Sequence, residues 1–445
     1  MKMCAIMEEK VWSTPFVDTH EHLLEESTRL QGTNERITAD DWSLLLRHYL
    51  VSDMLSAGMP IEDCQRFFGP DVDPLDKWDI IAPWWPAVRN TGYAQAVLQT
   101  VRRLYDVNDI SADSIRSIQE GYEETRKPGF YHKILVNLAH IDSCQVNSLE
   151  DTPYMETEQP ELLLQDIRIT GMIDLEDMGM YADPAGIEVT GLDSWHRVID
   201  WWFDTYGQYA TAAKTQNAYQ RNIDYDDIPA ETAEPLFRRV LDGDPLTASE
   251  RKALEDHLFW YAVRRATAHN LPVKMHTGYH AYWIEKPERM NLSNIHRNPE
   301  SACKLCAKAP ETRFVFMHIG YPYYEAMVAL AKQYPNAYID MCWAWIVNPL
   351  AAKDFLIKYL MAAPANKLFT FGGDYYVVEP VFGHAMIARR GIAHALHDLL
   401  TEGWLDHVSS ASLPEMIMHG NAMTVFDVAR KKAASASRAT RSTVQ

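Results

Sequence analysis

The stretch Phe16-Val17-Asp18-Thr19-His20-Glu21-His22 (FVDTHEH) decides how this chain is read. It begins as a short β-rich run and ends on two histidines separated by one residue. Residues i and i+2 of a strand point to the same side, so both imidazoles can reach one metal ion from a single element. A lone His-x-His pair is modest evidence, and its weight depends on what else ends at the same place in the fold.

Working outward, seven further β-rich runs follow: Lys133–Ala139, Arg168–Asp174, Gln208–Lys214, Pro272–Met275, Arg313–Met317, Ala337–Met341 and Leu368–Gly372. Each is apolar on both faces, which suits a parallel sheet buried on both sides, and helical periodicity fills the gaps. Eight such units predict an α/β fold, a (β/α)8 TIM barrel, in preference to an open doubly wound sheet. More than 100 residues separate the first two runs. The segments DDWSLLLRHYLVSDML, AQAVLQTVRRLY and SADSIRSIQEGYEETR make this a helical insertion after strand 1, over about residues 38–128. Residues 14–430 are thus expected to form a single barrel, with 431–445 a flexible basic tail lacking large apolar anchors.

Composition narrows the function. The 445 residues carry a net charge of −19 and are 47% hydrophobic, while residues 430–445 hold five basic residues and no acids. An acidic body argues against nucleic acid and anionic membrane as partners, and no apolar run reaches the roughly 18–20 residues of a membrane span. Six scattered cysteines are too few for a disulfide scaffold and fit reduced thiols, hence a cytoplasmic location. Cys303 and Cys306 form a Cys-x-x-Cys, but its context reads as helix and no second pair completes a zinc site.

The weight of the opening motif rises at three later places. His276 ends the fifth run (VKMHTG), His318 the sixth (FVFMHIG) and Asp374 the eighth (FTFGGD). All strand C-termini of a TIM barrel open onto one mouth, so these residues are expected to converge there with His20 and His22. Imidazole and carboxylate donors suit zinc, with manganese or iron as alternatives, and a catalytic site keeps one position open.

This set resembles that of the amidohydrolase superfamily. The segments HTGYH, MHIGYPYYEAMVALAKQYPNAYIDMCW and FTFGGDYYVVEPVFGHAMIARRGIAHAL resemble the amidohydrolase domain of nodulin and FluG-type proteins. LLRHYLVSDMLSAGMP and NTGYAQAVLQTVRRLYDVNDISADSI, in the insertion, resemble uronate isomerases of the same superfamily. The resemblance implies one catalytic divalent metal held by His20, His22 and Asp374, with His276 a further ligand or close neighbour. It implies Asp374, His318 and His276 as catalytic groups. It also sets Lys214, followed by Arg221, as a contact for a substrate carboxylate; a carbamylated bridge between two ions and a structural salt bridge are the other readings of Lys214. Tyr279, Trp343 and Tyr375 neighbour the strand ends and are candidates to line the pocket. His140 is expected at the mouth and Arg389-Arg390 at the surface. The function so implied is metal-dependent hydrolysis of a C–N or C–O bond in a small carboxylate-bearing substrate. Aldose–ketose isomerisation and metal-dependent decarboxylation are the alternatives, and homo-oligomerisation is left open.

Overall fold

The structure is a computed structural model that describes residues 2–34, 36–150, 152–280 and 298–442. Its parallel strands are β1 (Phe16–Glu21), β2 (Ile141–Val146), β3 (Leu163–Gln165), β4 (Ile167–Arg168), β5 (Ala213–Thr215), β6 (Val273–Met275), β7 (Phe314–Phe316), β8 (Ala337–Asp340) and β9 (Leu368–Phe369). Pairing runs β1-β2-β3 and β4-β5-β6-β7-β8-β9. Only Asp166 separates β3 from β4, so the nine segments fill eight positions. The ring is joined where Thr19 N donates to Phe371 O (3.0 Å) and Asp374 N donates to His20 O (2.9 Å).

The strands are short and apolar because both their faces are covered. Val273, Met275, Phe314, Phe316, Ala337 and Ile339 are all inaccessible to solvent. Inside, a polar layer underlies the mouth. Lys274 Nζ donates to Thr19 O (2.7 Å) and Asp166 Oδ2 (2.8 Å), and Thr19 Oγ1 donates to Asp340 Oδ2 (2.7 Å). A buried charge needs such partners. This demand on the Asp166 carboxylate, which also accepts from Thr211 Oγ1 at 2.7 Å, accompanies the break between β3 and β4.

Among the described residues between β1 and β2 the regular elements are all helices, including Leu50–Ser56, Ile61–Phe68, Gly92–Leu104 and Ile115–Thr125. Gly92–Leu104 packs against the long helix Glu379–Thr401 at backbone distance: a Cβ on Gly383 would sit 1.9 Å from Ala96 O. Nearby, fully buried Arg29 donates to Glu379 Oε1 (2.8 Å) and to the Tyr122 hydroxyl (3.1 Å), tying this helical stretch to the last barrel helix.

Several sequence expectations need correction. Residues expected as the second strand form a π-helix, His132–Leu138, and β2 begins at Ile141. The apolar run KILVNLA satisfies either state by composition, and its burial against helix Glu379–Thr401 selects the helix. The third run was set too late: Thr170–Asp174 is helical and the strand precedes it. His140 therefore lies at the entrance of β2, away from the mouth, with its carbonyl accepting from Arg389 Nη2 (2.9 Å). Arg389 is not at the surface. It is 1% exposed and caps the carbonyls of Val11, Thr14, Ala139 and His140. The expected flexible tail is helix Val428–Ser442. Buried Lys431 donates to Gly207 O (2.8 Å), Lys432 to Asp142 Oδ1 (2.7 Å) and Arg438 Nε to Glu156 Oε1 (3.0 Å); residues 443–445 lie outside the described residues. Among the described residues no helix is long and apolar enough to cross a membrane.

Candidate metal centre

Strand periodicity places His20 and His22 on one side of the end of β1. The His22 ring is oriented by Nδ1, 2.6 Å from Asn147 O, which turns Nε2 toward the mouth. Asp374 arrives from the opposite side of the seam. Its backbone is left-handed (φ 63°), and Gly373 before it has no room for a side chain, since a Cβ would lie 1.9 Å from Glu21 Oε1. The result is a shared contact: Asp374 Oδ1 is 3.2 Å from His20 Nε2 and 3.2 Å from His22 Nε2.

These distances test whether a metal fits. Donors about 2.0–2.1 Å from a tetrahedral ion stand about 3.3 Å apart, which matches both spacings. Protonation agrees as well. Burial, outweighing the nearby Asp374 charge, drives the His20 imidazole far below its ordinary value and leaves it neutral. Burial alone would raise Asp374, but His20 and His22 hold it well below the usual carboxylate range. Two imidazoles and a carboxylate are a zinc-type donor set. Among the described residues, His20 Nδ1 and both ring nitrogens of His318 are buried with no hydrogen-bond partner, a costly state that a ligand would relieve.

The remaining expected residues divide. His318, lowered to about 3 by burial, presents Nδ1 4.0 Å from Asp374 Oδ2. His276 lies beside it, ring centroids 4.4 Å apart and planes tilted by 54°, but its Nε2 is 2.9 Å from Tyr279 O, and it does not join the cluster of His20, His22 and Asp374. It is a close neighbour of that cluster. Lys214 is fully buried, with Nζ 3.2 Å from Thr215 O; burial lowers it to about 8 against the attraction of Asp374. Arg221 is committed elsewhere, to Glu255 (2.9 Å) and Asp256 (2.5 Å), with its guanidinium 4.3 Å from the Tyr225 ring. Trp343 lies behind His318 (5.0 Å), Tyr279 lies 6.1 Å from Trp343, and Tyr375 packs on Tyr49 at 5.1 Å.

A cavity of about 470 Å³ opens over the cluster. None of Lys214, Arg221, Tyr279, Trp343 and Tyr375 lines it. Its wall instead includes His48 and Tyr49 from the helical stretch, Arg168 at the end of β4, Thr170 and Gln216. Sequence reading missed these. The available signal was HY within LLRHYL, adjacent polar rings in a largely apolar stretch, which the structure sets in the turn between helices Leu44–Arg47 and Leu50–Ser56. Tyr49 donates to Asp374 O at 2.5 Å, and the His48 and Tyr49 rings stack at 4.3 Å. Cys342, just beyond β8, was missed too; it groups with His318 and Asp374.

A parallel barrel in which the end of the first strand supplies two imidazoles and the loop after the last supplies a carboxylate at one mouth is the frame of the metal-dependent amidohydrolases. A family model described as Amidohydrolase matches residues 196–428, over half of the chain, and the chain belongs to that family. Protein fluG of Emericella nidulans is 31% identical over 200 residues, 42% of this chain but 22% of that protein, so the match spans about a fifth of the relative's length. Glucuronate isomerase from Caulobacter crescentus (TM-score 0.76, 15% identity) matches 96% of this chain and 94% of its own. Uronate isomerase from Thermotoga maritima (TM-score 0.74, 13% identity) matches 96% and 97%. A candidate metal-dependent hydrolase from Lactobacillus casei (TM-score 0.62, 15% identity) matches 96% and 98%. At these identities the likeness is one of fold.

Proposed function

We propose that the protein is a metal-dependent hydrolase that cleaves a C–N or C–O bond in a small carboxylate-bearing molecule. The observation that carries this reading is the Asp374 oxygen shared by His20 and His22 at the floor of the cavity. A divalent ion held there, zinc by donor chemistry, supplies Lewis-acid polarisation of a carbonyl and acidification of water. The chain's own residues then have separable tasks. Asp374 keeps Oδ2 on the side of His318, free of the two strand-one imidazoles, so it can take a proton from the attacking water and return it to the leaving group. Neutral His318 can donate a hydrogen bond to the developing oxyanion. Arg168, whose Nη1 is anchored to Ser148 O at 3.0 Å, provides the cationic wall that a carboxylate substrate needs. The same reading takes residues 14–430 as one catalytic unit whose helical stretch forms part of the pocket wall.

A second reading, isomerisation of an open-chain sugar acid, is favoured by one observation. His48 and Tyr49 reach the cavity from the helical stretch, and uronate isomerases superpose over 96% of the chain, that stretch included. Turnover of a panel of acyl amino acids, lactones and uronates in oxygen-18 water separates the two. A hydrolase incorporates label into product at the cleaved bond. Conversion of a uronate without such incorporation overturns the hydrolase reading.

A further inference from the structure

The cavity over the metal cluster does not end at its own wall. Asp174, Glu176 and Gln220 line it and also line a second cavity of about 830 Å³, whose other walls include Arg221, Asp224, Arg251 and Glu255. The two spaces share one rim. Pockets for small ligands run to about 300–1,000 Å³, so the inner cavity of about 470 Å³ holds the reacting part of a substrate and the outer one has room for a further arm. The rim is a strained turn: Leu175 (φ 63°) and Asp177 (φ 54°) are both left-handed, and they bracket Glu176. Charge in the outer cavity is unevenly committed. Arg221 is held by Glu255 (2.9 Å) and Asp256 (2.5 Å), and Lys252 by Asp256 (2.5 Å) and Asp226 (3.0 Å). Arg251 is half-exposed, and its ion pair among the described residues is with Glu255 at 4.0 Å, beyond hydrogen-bond reach. Asp174 is buried at the rim, where it accepts from Asn217 Nδ2 (2.9 Å) and Glu176 N (3.0 Å). Burial raises its carboxyl to about 7, and the Arg251 charge reaches it from the outer cavity. A carboxyl so desolvated regains its charge when a cation arrives.

We propose that the outer cavity is a subsite for the zwitterionic head of an α-amino acid, with the ammonium donating to Asp174 at the rim and Arg251 donating to the carboxylate. The charges select this head over simpler ones. A purely anionic head would meet Asp174, Glu176 and Asp224 with Arg251 in its favour, and a purely cationic head would meet Arg251 itself. An ammonium and a carboxylate on one carbon answer both, through charge-assisted hydrogen bonds. The substrate class is therefore α-amino acid conjugates, with the head in the outer cavity and the side-chain arm crossing the rim past Gln220 toward Arg168 and the metal cluster. Placing the cleaved bond on that arm rests on the proposed hydrolase reading; binding at the two ends does not.

The test is calorimetric titration of the full chain with 2-aminoadipate, 2-aminopimelate and 2-aminosuberate, each against the plain diacid of the same length. None of these probes contains a bond that the proposed reaction cleaves, so binding is read without turnover. The expected result is that at least one amino diacid binds about tenfold or more tighter than its plain partner. Asp174→Asn and Arg251→Met each remove that preference. Binding at pH 6 releases up to about one proton as Asp174 ionises, seen as a dependence of the heat on the buffer, and the release disappears in Asp174→Asn. A merely structural role for Asp174 does not produce a ligand-linked proton. Should Asp174→Asn not fold, Arg251→Met carries the test by itself, since that side chain is half-exposed. Equal affinity for the two series, no binding of either, or a preference that survives in both variants overturns the subsite and leaves the proposed hydrolase standing. A preference lost in the variants, with no oxygen-18 incorporated from any amino acid conjugate, keeps the subsite and overturns the hydrolase reading instead.

Discussion

The Tyr49 hydroxyl donates a 2.5 Å hydrogen bond to the main-chain oxygen of Asp374. The two residues are 325 positions apart. Through this bond the helical stretch between β1 and β2 fixes the left-handed residue whose carboxylate both strand-one histidines share. Tyr49→Phe leaves a buried carbonyl without its donor, and the expected loss is about 1–3 kcal/mol, read from urea denaturation. Metal affinity should fall about 10–100-fold, as for other groups that orient ligands, measured by dialysis against a competing chelator. Unchanged metal affinity would mean that Asp374 is held by its glycine neighbours and its bond to His20 O without help from Tyr49.

Asp374→Asn and His22→Ala each remove part of the His20/His22/Asp374 donor set. Elemental analysis after dialysis should find bound zinc reduced about tenfold or more in both. Zinc content equal to that of the wild type would remove the cluster as the metal centre.

Arg29 and Glu379 are a buried pair, 2.8 Å apart, with Arg29 fully shielded from solvent. Glu379→Gln removes the nearer of the two carboxylates paired with Arg29, Asp40 Oδ1 remaining at 3.3 Å, and should cost up to about 3 kcal/mol, whereas replacing both Arg29 and Glu379 by apolar residues should cost less. Comparing denaturation midpoints of the single and double variants checks this. Equal losses would place the effect in packing and not in charge.

Lys431 gives a pH dependence remote from the metal centre. Burial lowers its pKa from 10.5 to about 8, so below pH 8 the folded chain carries a buried ammonium that the unfolded chain solvates. The unfolded state binds more protons between about pH 8 and 10.5, so the stability contribution of this group rises with pH across that window. Lys431→Met removes the dependence. The stability difference between wild type and variant should shift by up to about 3 kcal/mol in favour of the wild type from pH 7.5 to 10.5, by denaturation at each pH. A flat difference would show that Lys431 titrates normally.

What could be read without coordinates follows periodicity. His20 and His22 share a side because strands repeat every two residues, and His276, His318 and Asp374 could be set at strand ends because each closes an apolar run before a turn. The runs Pro272–Met275, Arg313–Met317 and Ala337–Met341 overlap β6, β7 and β8 for the same reason. The misreadings also have a cause. KILVNLA is apolar enough for either state, and burial beside a long helix made it a π-helix. A basic, alanine-rich terminus read as a tail because its anchors, Lys431, Lys432 and Arg438, are polar and find carbonyls and carboxylates remote in sequence.

The sequence by itself determined the family, the parallel barrel and the residue types of the candidate metal cluster, since these rest on local pattern and on strand ends that one topology must gather. Only the tertiary structure decided which of those residues meet. It turned His276 to the Tyr279 carbonyl and bound Arg221 to Glu255 and Asp256. In the wall of the cavity it set His48, Tyr49 and Arg168. Such choices depend on packing between segments hundreds of residues apart, where a side chain's partner is fixed by the space and charge around it and by no periodicity of its own.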